Sequence, residues 1–273
     1  MSLIVSLRVP DGIVVAADSL STAQTRVEIV AEAAELQCPH CKQMVSAQDL
    51  KLPTLNFPFS ASSYTQKLFP VHDRFAVGSF GQGVINNRSV LYHLRQFERS
   101  SDKDATLVAT RDALIAYLEA QLLIQHPKYQ EEAPVDRYLS AFHMNGYEEV
   151  DNEQVGVTYE VLIGHKNRMV RHDQIGCTIG GEMKVVQRLW DIGRKEPQFQ
   201  FKYPLFSLQD AIDLGEFLIN ATSTFQRFAN EVPTVGGAVD IALVTPFQDF
   251  QWIRQKELMQ ILEGTRNDNR NEC

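Results

Sequence analysis

Apolar and polar positions alternate from the start of the chain. Leu3, Val5, Leu7 and Val9 interleave with Ile4, Ser6 and Arg8, and Ile13 to Ala17 is nearly continuous in apolar residues. Pro10-Asp11-Gly12 between them is turn chemistry, so the two segments predict a buried hairpin. Strand patterns return at Lys67–Val71 and Arg74–Phe80, joined through Asp73 and Arg74. Helical spacing then takes over. Val84, Val90, Leu91, Leu94 and Phe97 share one face, and Leu107, Leu114, Leu118 and Leu122 mark a second helix that Pro127 stops. Tyr138–Met144, Val155–Gly164 and Met169–Thr178 read as strands, and Glu182–Trp190 as a short helix. Ser207-Leu208-Gln209-Asp210 is a capping-box pattern. It opens a long helix with a seam of Ala211, Leu214, Leu218, Ala221, Phe225 and Phe228. Gly237–Val244 and Phe250–Ile253 are the last strands. The order of strands, two helices, strands, two helices, strands predicts an α+β fold, a four-layer αββα sandwich with two antiparallel sheets between helical layers.

Between about residues 22 and 65 this pattern dissolves. Val27–Leu36 has the spacing of a short helix, Cys38-Pro39-His40-Cys41 follows, and Pro53–Ser63 is rich in Pro, Phe and Ser. Because strands resume afterwards, this is read as a segment inserted into a single domain spanning 1–264. The polar run 265–273 is read as a disordered tail.

Composition narrows the options. Of 273 residues 44% are apolar, enough for a sizeable core, and the net charge is −8, unlike the basic face of a general nucleic-acid binder. No stretch approaches the ~20 apolar residues of a bilayer span, and the start lacks the basic region of a signal peptide. The expectation is a cytoplasmic protein that engages neither nucleic acid nor membrane. Four cysteines, only two of them closely spaced, do not make a disulfide framework. Cys38 and Cys41 offer two thiolates at chelating distance, which is half of a structural zinc site; the plainer alternative is two reduced cysteines in a loop. Cys177 reads as core.

The candidate chemistry begins at Ser2. A serine hydroxyl needs a base, and when serine is the first residue its own α-amine, with a pKa of roughly 7.7–8.0, can serve. Alone, Met1-Ser2 is only a common start, Lys67 a surface lysine and Asp18 a strand-end cap. Together the patches Ser2-Leu3-Ile4-Val5, Asp11-Gly12 to Ala17-Asp18-Ser19, Lys67 to Gly81, and Val235-Gly236-Gly237 resemble proteasome β-subunits, a family of N-terminal-nucleophile (Ntn) hydrolases. The resemblance puts Ser2, after removal of Met1, on the family's catalytic threonine. It puts Lys67 on the lysine beside the α-amine, Asp18 on the carboxylate that pairs with it, and Gly81 on the glycine whose N–H stabilises the oxyanion. Gly180-Gly181-Glu182, Val232 and Val235 stand where the family carries further polar residues.

What the resemblance implies is a proteasome-like peptidase. It would work through an acyl-enzyme with no cofactor in catalysis, as a homo-oligomer (ring or spiral) acting on peptides or unfolded protein, with an ATPase unfoldase as partner. Ser79, Ser21, Thr22 and Phe69 fall on the expected substrate pocket, whose small floor and apolar walls suit a large apolar side chain. Two other readings stand beside it: a non-catalytic ring subunit of the same fold, and an Ntn amidohydrolase of small-molecule amides.

Overall fold

The structure is a computed structural model that describes residues 2–28, 35–37, 40–46, 54–132, 138–229 and 232–257. It divides into two compact units, one of residues 1–21 with 62–273 and one of residues 22–61.

The larger unit is α+β. Its chain runs through β1 (Leu3–Val9) and β2 (Gly12–Ala17) into the smaller unit, which holds most of β3 (Ser21–Glu28) and β6 (Thr54–Ser62), paired together, and the pair β4 (Glu35–Gln37) and β5 (Met44–Ser46). It resumes with β7 (Leu68–Val71), β8 (Phe75–Gly81), the small pair β9 (Val84–Ile85) and β10 (Arg88–Ser89), then helices α1 (Val90–Ser100), α2 (Leu107–Gln125) and the short α3 (Tyr129–Glu132). Strands β11 (Tyr138–Val150), β12 (Glu153–Gly164), β13 (Arg168–His172) and β14 (Gly176–Gly181) follow, then α4 (Lys184–Lys195), α5 (Leu208–Phe228), β15 (Asp240–Val244) and β16 (Phe250–Arg254). One five-stranded antiparallel sheet has the order β14-β1-β2-β15-β16, the other β13-β12-β11-β8-β7.

Among the described residues, strand alternation sorts the core into three apolar clusters. Phe69, Val71, Phe75 and Val77 pack with Leu94 and Phe97 of α1 and Leu114 and Leu118 of α2. Leu3, Val5 and Leu7 pack with Val186 of α4 and Leu214 and Leu218 of α5. Residues of opposite parity, Ile4, Val15 and Ala17 from one sheet and Leu68, Ala76 and Phe80 from the other, meet in the third cluster. Gly78 exists for this contact, since a Cβ there would lie 2.5 Å from Ile4 Cγ2. A buried polar chain also ties the sheets. Arg8 donates to Thr158 Oγ1 at 2.8 Å and Thr178 Oγ1 at 2.9 Å, Thr158 donates to Asn145, and Asn145 to the Ala76 carbonyl. Ser6 Oγ meets Nδ1 of the fully buried His143 at 3.0 Å.

Several predicted elements differ. Val27 and Glu28 lie in β3 and Glu35 and Leu36 in β4, not in a helix, and 29–34 lies outside the described residues. Val84 is not on α1; it is 52% exposed in a hairpin whose turn, Asn86-Asn87, has φ values of 47° and 58°. Asparagine tolerates that left-handed backbone, and a two-residue hairpin turn requires it. The run read as one strand over Met169–Thr178 is two: β13 belongs to one sheet and β14 to the other, so this stretch carries the chain from one sheet to the next. The seam of α5 also turns. Its buried face continues from Leu218 through Thr222 to Gln226, while Phe225 and Phe228 are 59% and 80% exposed. The tail at 265–273 lies outside the described residues. Among the described residues no helix is long and apolar enough to cross a membrane.

Candidate active site

Asp18 is the centre of the site. It follows the last residue of β2 and is fully buried, and four donors converge on its carboxylate. Oδ1 accepts from Leu3 N at 2.9 Å and from Lys67 Nζ at 2.7 Å. Oδ2 accepts from Leu20 N at 3.1 Å and Gly236 N at 3.0 Å. A buried carboxylate is tolerated when its lone pairs are met by donors and its charge by a cation, and both conditions hold here. The chain itself supplies this: the β1–β2 hairpin brings Leu3 beside Asp18, and Lys67 arrives at the start of β7.

The nucleophile candidate is fixed by the same hairpin. Ser2 is 6% exposed, and its carbonyl accepts from Glu182 N at 2.8 Å. Leu3, directly bonded to it, pairs with Gly181 of β14. Gly181 must be glycine: its φ is +91°, and a Cβ there would sit 1.8 Å from the Ser2 carbonyl oxygen and 3.6 Å from Phe80 Cβ. Ser2 is therefore one peptide unit from the Asp18–Lys67 pair and lies close to Phe80, the residue before Gly81. Gly81, exposed at the end of β8, has φ +88°; the next residue's N–H, of Gln82, bonds the Leu139 carbonyl at 2.9 Å.

Lys67 is 4% exposed and also donates to the Leu20 carbonyl. Burial pulls its ammonium below the ordinary lysine range. The charge and hydrogen bond of Asp18 oppose that pull, and the like charge of Lys256 adds to it. The four residues predicted to carry chemistry, Ser2, Asp18, Lys67 and Gly81, are thus brought into one region.

The other predicted residues divide. Ser79 is half-buried beside Lys67, whose carbonyl accepts its N–H at 2.8 Å. Ser21 and Thr22 are half-buried. Phe69 does not reach a substrate surface: it is 1% exposed and packs into the cluster under α1 and α2, because it alternates with Leu68 along β7. Val232 is half-buried, and Val235, 1% exposed, belongs to the core under α5. Cys38 lies outside the described residues, and His40 and Cys41 are exposed. Among the described residues no group of three or more His, Cys, Asp or Glu side chains is arranged to hold a metal. Cys177 packs half-buried against the core under α4 and α5. It also lines a cavity of about 290 Å³ with Leu189, Trp190, Arg194 and Tyr203, which contains none of Ser2, Asp18, Lys67 or Gly81.

Four further residues shape the site and were not read from the sequence. Gln226 of α5 accepts from Thr234 N and Val235 N at 2.9 and 3.0 Å and donates to Thr234 Oγ1, locking the loop that delivers Gly236 N–H to Asp18. Tyr138 edges against Gly81, where a Cβ would lie 3.1 Å from its ring. Burial, then the charges of Glu160 and Glu182, push its phenol above the ordinary tyrosine range. Asp240 and Lys256 form a second buried ion pair, with side chains 0% and 3% exposed. A carboxylate in the apolar run Val239-Asp240-Ile241-Ala242 is the one signal of that pair in the sequence. No family model matches this chain, and no curated protein matches it either.

Proposed function

We propose that the chain is a proteasome-like N-terminal-nucleophile peptidase with the four-layer αββα sandwich of that class, and that Ser2, freed by removal of Met1, is its nucleophile. The observation that carries the reading is the Asp18 carboxylate, which binds the N–H of the residue after Ser2 with the same oxygen that binds the Lys67 ammonium. A structural ion pair needs no such connection to a serine at residue 2. The sorting of the core into a cluster between the sheets and one under each pair of helices supports the layered fold.

In this mechanism Ser2 Oγ attacks a peptide carbonyl while the Ser2 α-amine takes its proton. The proton passes to the leaving amine as the acyl-enzyme forms, and water releases the acyl group with the same amine as base. The Lys67 ammonium lowers the proton affinity of the α-amine by like-charge proximity, so that the amine is free near neutral pH. The Gly81 N–H stabilises the oxyanion. With Ser79 as a small floor, the pocket accepts large apolar side chains, its walls coming from residues other than Phe69. The active form is a homo-oligomer, which keeps the nucleophile away from folded proteins.

The test is an intact mass of the purified protein with and without a β-lactone or epoxyketone probe. The expected result is loss of Met1 and one probe per chain, with no adduct on Ser2→Ala. Full retention of Met1, or equal labelling of Ser2→Ala, overturns the proposal.

A further inference from the structure

Alternation along β11 fails at its first residues. Phe142 and Met144 belong to the cluster under α1 and α2, and Ala141 to the cluster between the sheets. Strict alternation would send Tyr138 to the helix side with Phe142, and Leu139 between the sheets with Ala141. The reverse is found. Leu139 packs against the cluster under the helices. The Tyr138 ring lies edge-on to Phe80 of the cluster between the sheets, with 5.9 Å between centroids at 82°. The cause is a bulge: Tyr138 pairs with Gly164 and Ser140 with Ile163, so two steps along β11 match one along β12. A bulge interrupts the ladder, and beside a site its effect is to re-aim a side chain.

The ring is re-aimed at Gly81. A Cβ on Gly81 would lie 3.1 Å from Tyr138 Cε2 and 3.1 Å from the Leu139 carbonyl oxygen, so ring and glycine are in direct contact. Tyr138 keeps 37% of its surface exposed. Its backing is fixed. Phe80 lies against Gly180, where a Cβ would sit 2.4 Å from the Phe80 ring, and edge-on to the buried His143 at 5.3 Å. Ser79 is in register with Phe142 and Phe80 with Ala141, so the two neighbours face opposite sides of the sheet. A carbonyl held at the Gly81 N–H, with the side chain of its acyl part over Ser79, therefore turns its leaving part toward Phe80 and Tyr138. We infer that Tyr138 is a specificity-determining residue. Its exposed ring forms the subsite for the residue after the cleaved bond and favours an aromatic side chain there. This role rests on the peptidase reading.

The experiment compares internally quenched peptides that are identical on the acyl side and carry Phe, Leu or Ala after the cleaved bond. In kcat/KM, wild type should favour the Phe peptide over the Ala peptide by about tenfold. Tyr138→Ala should bring that ratio close to one, and Tyr138→Phe should keep it; a merely structural role would lower all the rates alike and leave the ratio in place. Labelling of Ser2 by the epoxyketone probe, which carries no residue on the leaving side, should run at the wild-type rate in Tyr138→Ala. If Tyr138→Ala does not fold, Tyr138→Leu keeps apolar bulk against Phe80 and should still lower the ratio of Phe to Leu; an unchanged ratio there overturns the inference. When the probe labels Ser2, a wild type with no preference for Phe, or a preference that survives Tyr138→Ala, overturns the inference and leaves the peptidase reading standing. A wild type that neither takes the probe nor cleaves any of the peptides sinks the peptidase reading and the subsite with it.

Discussion

Asp18→Asn is nearly isosteric, yet the geometry makes it severe. An amide has one oxygen, and each oxygen of Asp18 accepts from two donors. If the new NH2 replaces Oδ1, it faces Leu3 N–H and the Lys67 ammonium; if it replaces Oδ2, it faces the N–H groups of Leu20 and Gly236. No flip of the amide avoids two lost hydrogen bonds and two opposed donors. Lys67, with its side chain 5% exposed, would also lose its counter-charge. Removing one partner of a buried pair costs about 3–5 kcal/mol, a large part of the 5–15 kcal/mol typical of a folded domain. At roughly 2–4 °C per kcal/mol for a chain near this size, the melting temperature should fall by about 10 °C. Urea unfolding followed by circular dichroism gives the free energy directly, with an unchanged m-value as the check that the denatured state is the same. A loss below about 1 kcal/mol would refute the four-donor carboxylate.

Gly181→Ala forces a Cβ onto the Ser2 carbonyl and a non-glycine residue to φ +91°; the expected cost is about 2–3 kcal/mol by urea unfolding, and a variant as stable as wild type would show that Ser2 is not held there. Gln226→Leu strands the Thr234 and Val235 N–H groups, at roughly 1–3 kcal/mol each if they stay buried, and should speed hydrogen exchange at Gly236; unchanged exchange would mean the loop is held by something else. His143 is buried with its pKa lowered to about 3, chiefly by desolvation, then by the charges of His172 and Arg8. A folded-state pKa below the unfolded value near 6.5 gives stability that is complete above pH 6.5 and lost as pH falls toward 3. Wild type should therefore lose about 1.4 kcal/mol per pH unit below 6 relative to His143→Gln, and parallel curves for the two proteins from pH 7 to 4 would exclude this residue.

The two sheets were legible because their strands are either alternating or continuously apolar, and a buried face imposes that pattern on the sequence. Ser2, Asp18 and Lys67 were picked out by the family resemblance of their patches, since each alone reads as ordinary; the β1–β2 hairpin accounts for Leu3 lying beside Asp18, but no local pattern brings Lys67 there. Other features escaped for physical reasons. Val84 keeps helical spacing with Leu91, seven residues on, and periodicity alone does not register a turn made by two asparagines. Met169–Thr178 is apolar enough for one strand, but its residues serve different sheets. Phe225 and Phe228 satisfy the helical period of α5, whereas Thr222 and Gln226 take the buried face because Gln226 has backbone donors to bind. Lys256 reaches Asp240 from beyond the end of β16, 16 residues further along the chain, which leaves no local trace.

The segment 22–61 separates Asp18 from Lys67 along the chain, by 49 positions, without separating them in space. Its first and last strands, β3 and β6, pair with each other, and Thr65 N bonds the Ser19 carbonyl at 3.0 Å, so the excursion leaves and returns at one place. That bears on how the ion pair forms during folding. Closing a flexible loop of some fifty residues costs about 2 kcal/mol more entropy than closing one of five. A segment that zips its own ends first removes most of that difference, because the pair then closes a loop of only a few free residues. The insertion adds length to the chain but little to the effective contact order of its central ion pair.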